Sequence, residues 1–142
     1  MKSQIMSMIL TLGAIATSQT ALHAQSFLTT TEVPFSFQAG GHTWEAGKYT
    51  IRRDHGGMTI LRSDTTFHST HVAGAGSYLT GNTGPKLVFH CYNGEKCFLA
   101  EIWAQGQNGV PVPKSKSEKE LIKNPRQPVD VATIAINLRN SD

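Results

Sequence analysis

The chain predicts an all-β fold: a single antiparallel β-sandwich or small barrel of about 7–8 strands with one short late helix. Three observations carry that expectation. Apolar and polar residues alternate over short runs, the period of a half-buried strand. Turn formers interrupt these runs at close intervals, with 13 Gly and 6 Pro in 142 residues. Only Lys114 to Lys123 carries a helical pattern, so strands do not alternate with long helices as a parallel α/β sheet requires.

The elements follow in order. Residues 1–24, MKSQIMSMILTLGAIATSQTALHA, read as an export signal. Lys2 gives a positive start, and Ile5 to Ala16 is an apolar run too short to span a membrane. Small residues then lead to Ala24, although Leu22 stands where a small residue is usual. Cleavage after Ala24 would start the mature chain at Gln25 and leave 118 of the 142 residues as one β domain, 25–142. That length suits one core. The expected location is periplasmic or secreted.

Val33, Phe35 and Phe37 alternate with Pro34 and Ser36, and Pro34 argues for an edge or a strand start. Gly40-Gly41 turns the chain into a brief strand, His42 to Glu45, anchored by Trp44. After Ala46-Gly47, Tyr49, Ile51 and Arg53 share a face. Asp54-His55-Gly56-Gly57 reads as a hairpin turn. Met58 to Arg62 returns from it, with Met58 and Ile60 on one face. Ser63-Asp64-Thr65 turns again, and Phe67 to Ala73 is the next strand. Gly74 to Pro85 is a polar loop around a short strand at 77–80.

Lys86 to Tyr92 (KLVFHCY) and Lys96 to Ala104 (KCFLAEIWA) form the strongest hairpin. Both strands are apolar on both faces, which places them centrally. Gln105 to Pro113 reads as a loop. In the helix, Ser117 and Glu120 have capping-box spacing, and Leu121 and Ile122 are its docking residues. Asn124 to Pro128 breaks it. Val129 to Leu138 closes the fold, with Ile134, Ile136 and Leu138 inward. The expected core comprises Phe35, Phe37, Ile51, Ile60, Phe89, Leu99, Ile134 and Ile136.

Cys91 and Cys97 are the only cysteines. In an oxidising compartment this close pair reads as a disulfide. The spacing is not that of a redox Cys-x-x-Cys motif, and zinc would need further ligands. A two-residue Asn93-Gly94 loop would pair Cys91 with Lys96. A three-residue loop, Asn93 to Glu95, places Cys91 opposite Cys97, so a disulfide selects the longer loop.

VPFSFQAG, WEAGKYTI, KLVFHCY, FLAEIW and PKSKSEKEL occur in that order. Together they resemble a group of small exported proteins of soil acidobacteria. The pattern of that group runs VPF-x-F, AG-x-Y-x-[IV], LVF-x-x-Y, FL-x-x-[IV]W and P-x-S-x-x-E-x-E-L. The resemblance covers most of the mature chain, from Val33 to Leu121. It implies an exported β-rich protein and brings no catalytic residue with it. The cysteine pair departs from the commonest form of the pattern, so the disulfide is read from this chain alone.

Charge excludes one class of partner. With 13 Lys+Arg against 10 Asp+Glu, the formal charge is +3, and +2 once Lys2 is removed. That excess is too small for nucleic-acid binding, and no basic stripe interleaves with aromatics. No stretch after the signal is long and apolar enough to span a membrane.

No motif supplies catalysis. Ser77 lies in AGAGSYL, which lacks the second glycine of a nucleophile elbow. GAGSYLTGNTG lacks the Lys-Ser/Thr of a phosphate loop. Glu101, in a strand expected to be buried, reads as a carboxylate paired at the sheet rim rather than a catalytic acid. His68 and His71 are three apart and point to opposite faces of a strand. His55 lies in a turn and His90 in the central hairpin. No metal or cofactor is expected. The expected function is an exported, non-catalytic structural or interaction module with an envelope protein or a carbohydrate as partner. The alternative is a small-ligand or carbohydrate-binding domain using Trp44, Tyr49, Tyr78 and Trp103. Aromatics lining a groove would favour binding. Aromatics filling the core would favour the interaction module.

Overall fold

The computed structural model describes residues 28–74, 76, 78–81, 84–104, 108–124, 126 and 128–136. The expected signal segment, Ser77 and Leu138 lie outside them. In chain order the elements are β1 (Leu28–Val33), β2 (Phe37–Ala39), β3 (His42–Trp44), β4 (Gly47–Arg53), β5 (Thr59–Ser63) and β6 (Ser69–Ala73). They continue as β7 (Leu79–Thr80), β8 (Lys86–Tyr92), β9 (Lys96–Trp103), β10 (Asn108–Pro111), α1 (Lys116–Ile122) and β11 (Val129–Ala135). The fold is all-β with one short helix.

Two sheets form. The smaller is antiparallel, in the order β1-β4-β5-β6. The larger runs β11-β8-β9-β10-β7, with β2 joining β9 in parallel and β3 pairing β2. Val33, Tyr49, Ile51 and Leu61 of the smaller sheet pack in one cluster with Phe37, Phe89, Leu99 and Ile102 of the larger. Burial of this shared apolar surface is the main stabilising term. Phe89 is fully buried, its ring 5.0 Å from Phe35 and 5.2 Å from Phe37, both edge-on. The two sheets also meet where Thr31 Oγ1 donates to the Ala135 carbonyl at 3.4 Å.

The central hairpin lies where its composition places it. β8 sits between β11 and β9, and β9 between β8 and both β10 and β2. Asn93 and Gly94 both have positive φ, 54° and 66°. Those signs are what a type I′ turn demands. Glu95 N–H closes the turn on the Tyr92 carbonyl at 3.2 Å. Glu95 is then an extra residue, so Tyr92 pairs with Lys96 and Cys91 with Cys97. The sulfurs are bonded at 2.03 Å. The Asn-Gly turn and the three-residue register therefore coexist.

Several elements depart from expectation. Val33 to Phe37 is not one strand. Pro34 lacks an N–H, the ladder ends there, and the chain crosses from the smaller sheet to the larger. The β4–β5 loop holds five residues, because Asp54 Oδ1 accepts from the Gly56 and Met58 N–H groups, each at 2.9 Å. Ile51 then faces Leu61, and Leu61 rather than Met58 or Ile60 enters the main cluster. One added residue inverts the face of a strand. Phe67 precedes β6 with φ 58° and lies exposed beside Arg62.

Asn108–Pro111, expected in a loop, is a strand. Gly109 is there because a Cβ would stand 2.5 Å from the Trp103 ring. The helix cap is Ser115, whose hydroxyl accepts from Glu118 N–H at 3.2 Å, not Ser117. The helix is seated by Glu118, while Leu121 is half-buried and Ile122 exposed. Phe35 and Ile134 are half-buried at the core margin, and the other six expected core residues are buried.

Candidate functional site

The four candidate aromatics do not line one surface. Trp44 and Tyr49 lie in the core against Phe37 and against each other. Their polar ends are satisfied locally. The Trp44 indole donates to the Ala39 carbonyl at 3.0 Å, and the Tyr49 phenol donates to the Glu45 carbonyl. Burial, and then the Glu45 charge, raise the Tyr49 pKa. Trp103 is buried on the outer face of the larger sheet, across Gly109 and Gly81. Tyr78 is 50% exposed, with the Arg53 guanidinium 5.3 Å from its ring centre.

The histidines divide among separate partners. His71 Nε2 lies 3.3 Å from Asp54 Oδ2. Asp54 is held below the usual carboxylate range, first by the Met58 N–H and with help from His71 and the Gly56 N–H. His68 lies ahead of β6, its ring 5.3 Å from His42 and 5.2 Å from Trp44. Among the described residues no three carboxylate, imidazole or thiol groups stand within reach of one metal ion.

Two concavities flank the segment leading into α1. One is an open groove of about 410 Å³ beside β6, floored by Met58, Val72, Ala73 and Pro113 and rimmed by Lys114 and Lys116. Among the described residues its lining includes His71 but no carboxylate. β6 is the last strand of its sheet. The Gly40-Gly41 turn abuts it at Thr70–His71, since a Cβ on Gly40 would lie 3.0 Å from the His71 carbonyl.

The other is a cavity of about 170 Å³ on the outer face of the larger sheet. His90, Glu101, Lys114 and Glu118 supply its polar lining. Glu118 is 3% exposed, and its Oε1 accepts from the Tyr92 phenol at 3.0 Å. His90 Nδ1 lies 3.8 Å from the same oxygen. The Tyr92 pKa is pushed up to about 12, first by burial and then by Glu118.

The sequence flagged Glu101 and His90 without joining them, read the lysines of KSKSEKELIK, Lys114 and Lys116 among them, as a solvated helix face, and missed Glu118 and Tyr92 as site residues. A signal existed for Glu118 in its position three after Ser115. Nothing local marks its burial. Family models, curated proteins and solved structures offer no match to this chain.

Proposed function

We propose that this chain is an exported, non-catalytic interaction module of the envelope or extracellular space, and that it holds an extended acidic protein segment in the groove beside β6. One observation carries the reading: a sheet-edge groove with an apolar floor, two lysines at its rim and no carboxylate among the described residues of its lining. Beyond the stretch that the Gly40-Gly41 turn abuts at Thr70–His71, an edge strand offers backbone groups for strand addition, and side-chain pockets add selectivity. The lysines select for carboxylates on the incoming strand. A disulfide fits an oxidising compartment.

Fluorescence anisotropy with labelled peptides tests it. An extended peptide of alternating Val and Glu should bind, weaken as salt rises, and lose affinity with Lys116→Glu. Equal binding of a Val-Lys peptide, or indifference to Lys116→Glu, rejects the reading. The second reading, a small-ligand or carbohydrate-binding domain, is favoured by the polar cavity under α1.

A further inference from the structure

The cavity under α1 assembles two carboxylates by independent devices. The first is a β-bulge. Val88 pairs with Glu101 and Phe89 with Leu99, so Ala100 is an extra residue in β9. Leu99 and Ile102 on either side face the core. Ala100 and Glu101 both line the cavity on the opposite face. Without the extra residue, alternation would turn Glu101 toward the core; bulges often re-aim side chains in this way. The second device is the Ser115 cap, which starts α1 so that Glu118 falls in its first turn, over the sheet.

Each carboxylate is tethered by a neutral donor. Glu101 Oε2 accepts from the Trp103 indole at 2.7 Å, and Glu118 Oε1 from the Tyr92 phenol. Among the described residues neither pairs with a lysine or arginine, and His90 Nδ1, 3.8 Å from Glu118 Oε1, is a cation partner only when protonated. Lys114 lines the same cavity without pairing to either. Glu118 is buried and Glu101 half-buried; a buried carboxylate without a permanent cation is costly, and a ligand cation would offset that cost. Among the described residues His90, Glu101 and Glu118 do not form a three-ligand group that could hold a metal ion, so an organic cation with several N–H donors suits them better. Leu79, Pro111 and Val112 supply an apolar wall for its body.

We infer that this cavity binds a small aliphatic primary ammonium ion, which donates to Glu101 and Glu118 and rests its alkyl body on Leu79, Pro111 and Val112. Lys114 is the built-in like charge that weakens it. This site shares Lys114 with the groove but does not depend on that reading.

Calorimetric titration of the intact, disulfide-bonded protein tests it with butylamine near neutral pH. 1-Pentanol serves as the neutral probe and butyrate as the anionic one. Butylamine should bind, with the other two at least tenfold weaker. Glu101→Gln should weaken butylamine at least tenfold, and Lys114→Ala should strengthen it. Glu118→Gln should also weaken it, but Glu101→Gln carries the test if the loss of Glu118 unseats the helix. Lys114→Ala has the opposite sign for the acidic peptide in the groove, which keeps the two readings separable. A lysine side chain presents the same ammonium, so Nα-acetyl-lysine amide is a further arm. Its binding would assign a protein-borne lysine, and its exclusion alongside butylamine binding a free amine. No butylamine binding, pentanol binding of equal strength, or butylamine binding unchanged by Glu101→Gln overturns the inference.

Discussion

Single residues set the local rules of this fold, and two can be tested directly. Gly109 sits opposite the Trp103 ring, with a Cβ position 2.5–2.7 Å from three ring atoms. Gly109→Ala should cost roughly 1–3 kcal/mol, the range for overpacking. In a Trp103→Leu background the same change should cost much less, because the clash is with the ring. Denaturant midpoints of the four proteins measure the coupling, and equal costs in both backgrounds would contradict this account. Tyr92 makes a pH prediction. Its phenol titrates near 12 when folded, against an ordinary value of 10.0. The folded state therefore keeps the proton longer. The stability this contributes is complete below about pH 10 and is lost as pH rises to about 12. Tyr92→Phe should show a shallower decline across that window than the parent. Parallel declines would mean that the phenol is not shielded. Glycine and tryptophan were both visible in the sequence. Their meeting was not, because QGQNGVPVP carries loop signals and the strand there depends on β9 and β7 as neighbours.

At the scale of elements, the β8–β9 hairpin was the most legible part of the chain. KLVFHCY and KCFLAEIW are apolar at both parities, and Asn93-Gly94 marks the turn. The disulfide joins residues at a sequence separation of 6. Loop entropy gives it about 2–2.5 kcal/mol of stabilisation. Reduction should lower the unfolding free energy by that amount, read as a lower denaturant midpoint, and intact mass before and after reduction verifies that the bond was present. An unchanged midpoint would show that the turn and packing alone hold the register. The β4–β5 hairpin was less legible. Thr59, Ile60 and Leu61 are all buried, so composition did not choose which face leads. The Asp54 carboxylate chose it by lengthening the turn to Met58. Helix α1 was located by the helical pattern of Lys114 to Lys123, but neither its cap, Ser115, nor its docking residue was. Glu118 is buried because the Tyr92 phenol stands beneath it, 26 residues away in sequence.

At the scale of the whole molecule, the export proposal has a plain test. N-terminal sequencing of the exported protein should begin at Gln25. A product that retains Met1 would reject export by this signal, and a cut a few residues away would move only the boundary. The all-β class, the central hairpin, the cysteine pairing and the late helix were determined by the sequence itself. Each rests on short-range facts: period-two alternation, turn chemistry and the reach of a seven-residue loop. The tertiary structure alone decided the rest. It divided eleven described strands between two sheets, with the first of three crossings at Pro34. It sent Trp44 and Tyr49 into the core, left Tyr78 outside, and brought Glu101 and Glu118 to one cavity. Those outcomes depend on which element covers which face. Such contacts join residues far apart in the chain, and alternation over a few neighbouring residues does not encode them.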